Sequence, residues 1–87
     1  MKPKEKILMM DKILRELDDV INSQTSVLKK IAQIEADNIN LNDDSLAGIL
    51  PDVYEHVDAA IVATTELKEK FQEVHDKFAE ANPITEE

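Results

Sequence analysis

Ile7, Met10, Leu14, Leu17, Ile21, Gln24, Leu28 and Ile31 recur at alternating spacings of three and four residues, a line that only a long α-helix gathers onto one face. Ile13, Val20, Val27 and Ile34 form a second line, seven residues apart, beside the first. An apolar face that wide needs more than one neighbouring helix to cover it. The second half repeats the period with Leu50, Val53, Val57, Ala60, Thr64, Leu67, Phe71, Val74, Phe78 and Ala81. One glycine and three prolines leave few points at which regular structure breaks. The pattern predicts an all-α fold: an antiparallel hairpin of two long amphipathic helices with a short helical turn between them, pairing into a dimeric four-helix bundle.

The expected boundaries follow from turn chemistry. A first helix is expected over residues 4–36, a turn with a short helix over 37–50, a second helix over 51–81 and a frayed tail over 82–87. The Asn- and Asp-rich stretch from Asp37 to Ser45 favours turns and caps, because these side chains compete for backbone hydrogen bonds. Pro51 lacks an amide hydrogen and disfavours helical geometry at Leu50, so a kink or restart is expected there. Asn82 and Pro83 stop the second helix. The competing arrangement is a monomeric three-helix bundle, with the first helix broken across the five polar residues Asn22 to Ser26.

A register follows from folding the seams together. With residue numbers adding to 88, Met10 meets Phe78, Leu14 meets Val74, Leu17 meets Phe71, Ile21 meets Leu67, Leu28 meets Ala60 and Ile31 meets Val57. Gln24 then falls opposite Thr64, so the two polar seam residues meet. Sliding by a heptad would bury each against carbon, at about 1–3 kcal/mol per unpaired group. The same fold brings Lys2, Lys4 and Lys6 near Glu80, Glu86 and Glu87.

Eighty-seven residues form one domain near the lower size for a self-sufficient core, which makes self-association a natural source of stability. The absence of cysteine excludes disulfides, thiolate metal sites and a cysteine nucleophile, and leaves the cytoplasm as the default compartment. Apolar runs of at most five residues fall far short of the ~20 that span a bilayer. No signal peptide is expected, since Asp11, Lys12 and Arg15 interrupt the apolar start.

The net charge of −9 is uneven. Residues 1–36 hold seven basic and six acidic side chains, residues 37–58 hold six acidic and no basic ones, and residues 59–87 hold three and seven. Such a surface repels phosphate backbones and anionic lipid, so neither nucleic acid nor membrane is an expected partner.

No residue pattern carries recognisable catalysis, and no cofactor is implied. His56 and His75 are expected on the solvent side of the second helix, without the Glu-x-x-His pairs of di-metal bundles. Asn38, Asn40, Asn42 and Asp44 alternate like a calcium loop, but no start point supplies both the glycine and the final glutamate of an EF-hand. Two surfaces remain as partner-binding candidates: the acidic residues Asp43, Asp44, Asp52, Glu55 and Asp58, and the apolar pair Leu8 and Met9. Ile13, Val20, Val27, Ile34, Ile61 and Val62 are the expected dimer interface.

In length, hairpin form and lack of cysteine the chain resembles the small WXG-type secreted proteins, and Tyr54 and Asp58 match their Tyr-x-x-x-Asp spacing. It departs from them in lacking the Trp-x-Gly turn, and Tyr54 and Asp58 open the second helix instead of lying in the tail. The resemblance therefore assigns neither family nor function. The expected function is a non-catalytic interaction module, a small regulator, inhibitor or assembly factor binding a protein with a basic surface. The alternative is an acidic nucleic-acid mimic, against which Lys29, Lys30, Lys68, Lys70 and Lys77 interrupt the acidic rows.

Overall fold

The computed structural model describes residues 1–83 as an antiparallel hairpin, 65 Å long and 17 by 16 Å across. Helix α1 spans Pro3–Leu41 and helix α2 spans Asp44–Ala81. Proline opens α1 without loss, because the first helical N–H groups have no intrahelical partner. The polar segment Asn22 to Ser26 does not interrupt the helix, so the three-helix alternative is excluded. Its hydroxyls turn back on the preceding turn: Thr25 Oγ1 donates to the Ile21 carbonyl at 2.8 Å and Ser26 Oγ to the Asn22 carbonyl at 3.1 Å.

Two expected boundaries are corrected. Helix α1 runs past residue 36 to Leu41, and the reversal is compressed into Asn42 and Asp43. The seam keeps phase through this stretch: Asn38, seven residues after Ile31, is buried. Asp37 accepts from Gln33 Nε2 at 3.0 Å, an i, i+4 pair that supports the helix instead of ending it. The second correction is at Pro51, which lies inside a single continuous α2, with no restart. The proline removes the helical partner of the Ala47 carbonyl, and Ala47 is exposed.

The buried residues lie toward the two ends of the rod, with Ile7, Met10 and Leu14 at one and Ile31, Asn38 and Leu50 at the other. Between them the contact is half-buried, as expected where only two helices meet. Gln24 Nε2 donates to Thr64 Oγ1 at 3.1 Å, so the polar layer forms as the register requires. Thr64 Oγ1 in turn donates to the Ala60 carbonyl at 2.8 Å, and Gln24 Oε1 is buried with no partner.

The face that α2 turns to α1 differs from expectation. Val57, Ile61, Thr64, Lys68, Phe71, His75, Phe78 and Asn82 are half-buried, at spacings of three and four, whereas Val53, Ala60, Leu67 and Val74 are exposed. The apolar pairings expected for Leu67 and Val74 therefore give way to polar ones at Lys68 and His75, while Ile61 takes the place expected for Ala60. Lys68 pairs with Asp18, His75 approaches Asp11, and Lys6 lies 4.5 Å above the Phe78 ring. A two-helix contact covers about two stripes of a three-stripe face, and the long Lys68 stem packs in the seam while its ammonium reaches Asp18. Of the acids expected near the N-terminal lysines, Glu86 and Glu87 lie outside the described residues.

Candidate interaction surfaces

The turn end is built around Asn38. Its carboxamide donates from Nδ2 to the Asp43 carbonyl at 3.1 Å and accepts from the Asp43 amide through Oδ1 at 2.8 Å, holding both backbone groups of the reversal. Asn42 adopts the left-handed conformation, φ 57°, and its amide donates to the Asn38 carbonyl at 2.7 Å. Asparagine tolerates that geometry better than most residues. Asp43 caps α2, accepting from the Ser45 hydroxyl and from the Leu46 amide at 2.9 Å. Those two bonds, the Ser45 hydroxyl first, hold its carboxyl below the usual range.

The acidic candidates thus separate by role. Asp43 is committed to capping the helix, and Asp44 sits in the first turn, where the helix dipole favours a negative charge. Asp52, Glu55 and Asp58 are exposed along α2. From Asp44 to Asp58 the row runs about 20 Å down the rod at 1.5 Å per residue, so it forms a flank of the turn end and not one compact patch.

Three apolar side chains at this end drew no attention in the sequence, because Asn and Asp surround them. Ile39, Leu41 and Ile49 are 80, 69 and 60% exposed and ring the tip. Helical phase past residue 36 was the signal that could have found them, since it places both Ile39 and Leu41 off the seam. Leu8 and Met9 are exposed as expected, but successive helical residues point about 100° apart, so they do not share one patch.

The two flanks of the hairpin differ. On one, an open groove is lined by Asp18, Ile21, Thr65, Lys68, Glu69 and Gln72. On the other, Ile13, Val20, Val27 and Ile34 of α1 run alongside Val53, Ala60, Leu67 and Val74 of α2. Each of these residues stands one position before a seam residue, and equally displaced positions of antiparallel helices meet on the same side. All but the half-buried Ile13 are exposed. The expected interface residues divide accordingly: Ile13, Val20, Val27 and Ile34 lie on this apolar flank, Ile61 faces into the hairpin, and Val62 is exposed on the polar side.

His75 is not the solvent-side residue the sequence suggested. Its side chain is 17% exposed, with Nδ1 3.0 Å from Asp76 and Nε2 2.8 Å from Asp11 across the hairpin. The second contact is off the line a hydrogen bond requires and is an ion pair when the ring is protonated. The Asp76 bond first, and then Asp11, raise the pKa of the ring above its ordinary 6.5, against the opposing effect of burial. The protonated ring therefore stabilises the fold fully below about pH 6.5, and this contribution is lost as pH rises through the folded-state value. Thermal melts of the parent should fall across that range, while His75→Gln should flatten the fall; an unchanged pH profile in the variant would refute the assignment. Among the described residues no group of three or more His, Asp or Glu side chains is placed to hold a metal ion, and no helix is long and apolar enough to cross a membrane.

No known protein family, curated protein or solved structure matches the chain.

Proposed function

We propose that the hairpin is a non-catalytic protein–protein interaction module, a small regulator, inhibitor or assembly factor. In this reading it pairs into a dimeric four-helix bundle and presents its turn end to a partner with a basic surface. The observation that carries the reading is the exposure of Ile39, Leu41 and Ile49 within a segment that holds six acids and no base. Ile39 and Leu41 point about 200° apart on α1, so the tip offers apolar anchors on more than one side among its acids, and apolar anchors with charged neighbours are the composition of recognition surfaces. The uncompensated carboxylates repel one another and do not contribute to the hairpin seam, whereas a basic partner would relieve that repulsion and be steered toward it.

The test is capture of the partner from the native cell, read by mass spectrometry, for three forms of the protein. Asp44, Asp52, Glu55 and Asp58 are reversed to lysine in one variant, leaving Asp43 to cap α2, and Ile39 and Ile49 become serine in another. Both should lose capture with unchanged circular dichroism, and capture by the parent should weaken as salt shortens the ~8 Å screening length. Undiminished capture by the folded charge-reversed variant would eliminate the acidic surface as the docking site.

A further inference from the structure

We infer that the apolar flank is covered by a second copy of this chain, packed face to face with its turn end pointing the opposite way. This rests on the dimeric reading above and adds to it the face and the orientation. The two stripes align in four layers, Ile13 with Val74, Val20 with Leu67, Val27 with Ala60 and Ile34 with Val53. They extend about 30 Å along the rod at 1.5 Å per residue and are centred near the Gln24–Thr64 layer. A patch centred on the rod's middle is self-complementary under a two-fold axis through that point.

Two independent features select the orientation. The first is charge. Residues 37–58 carry six acids and no base, so copies with their turns together would set two such ends side by side, within reach of a screening length of ~8 Å. Copies with opposed turns separate them by most of the 65 Å rod and set each beside an end of mixed charge, where Lys2, Lys4, Lys6, Lys12 and Arg15 stand among Glu5, Asp11, Glu73, Asp76 and Glu80.

The second is volume. With opposed turns, the layer of Val20 and Leu67 packs on the layer of Val27 and Ala60 of the second copy, so each Leu67 stands over an alanine. The outer layers then match Ile13 and Val74 with Ile34 and Val53, and every layer has a similar size. With turns together, two Leu67 side chains would share one layer and two Ala60 side chains the next, crowding the first and leaving the second underfilled. The opposite flank offers no such surface, since Asp18, Lys68 and Gln72 line it.

The chain contains no cysteine, so Asn40→Cys, exposed and away from the apolar flank, gives a single attachment point for a spin label in the full-length protein. Sedimentation equilibrium should show a dimer at micromolar concentration. Dipolar spectroscopy should then give an inter-label distance of about 50 Å for opposed turns, against roughly 20–25 Å, two helix diameters, for turns together. Val20→Glu with Leu67→Glu should abolish the dimer while leaving helicity and partner capture in place, because both side chains are already about half exposed in the hairpin. A short distance in an intact dimer would overturn the orientation alone, and a dimer that survives both glutamates would overturn the face. A monomeric parent would overturn this inference together with the dimeric reading.

Discussion

Asn38→Ala should melt about 8–16 °C below the parent, a larger loss than any exposed substitution in the hairpin would produce. Asn38 is buried and makes two hydrogen bonds to the Asp43 backbone at the point where the chain reverses. Each is worth about 1 kcal/mol, and in a domain of this size each kcal/mol moves the midpoint by about 4–8 °C. The alanine also leaves the Asp43 amide to find another partner, while the Asp43 carbonyl keeps the Ala47 amide at 3.1 Å. Melting followed by circular dichroism at matched protein concentration measures the effect. A shift under about 3 °C would mean that water replaces the carboxamide without penalty and that the turn is held by the Asn42 and Asp43 caps alone.

Replacing Gln24 with leucine and Thr64 with valine should act in the opposite direction and raise the midpoint. The hydrogen bond between the two is made, but Gln24 Oε1 is buried without a partner, so the layer is only partly satisfied. Relieving one such group is worth about 1–3 kcal/mol, and at about 4–8 °C per kcal/mol the double variant should melt well above the parent. Stability should rise as uniqueness falls. An all-carbon seam no longer penalises a shift by one heptad, and polar seam residues in coiled coils are known to hold register at a cost in stability. Label distances across the hairpin should therefore broaden in the double variant. A lower melting point would show that the Thr64 bond to the Ala60 carbonyl contributes more than the orphaned oxygen costs.

Much of the hairpin was legible in the sequence because helical periodicity is a local property repeated over many turns. The two long helices and the register that joins Gln24 to Thr64 follow from spacing alone, and the stop at Ala81 from Asn82 and Pro83. Turn chemistry was legible in kind and misplaced in position. Asn and Asp from residue 37 onward are equally compatible with a cap, a loop or a solvated helix face, and local preference does not choose among them. The choice came from Asn38, whose carboxamide is useful only if α1 continues in phase far enough to carry it beside Asp43. Pro51 was misjudged for a related reason: the Asp43 cap and the burial of Leu50 keep the segment before it helical.

The sequence by itself determined that the first helix carries an apolar face too wide for one neighbour, because counting stripes needs no knowledge of what covers them. Which stripe α2 turns inward was decided only by the tertiary structure. Val57, Thr64, Phe71 and Phe78 belong to either choice, and hydropathy favours adding Leu67 and Val74 over Lys68 and His75. Hydropathy, however, scores each residue alone, whereas the seam depends on pairs across it. Asp18 and Asp11 on α1 supply partners for Lys68 and His75, which makes those polar residues acceptable inside and leaves Leu67 and Val74 outside. The apolar flank, and with it the surface available to a second copy, exists because of that choice.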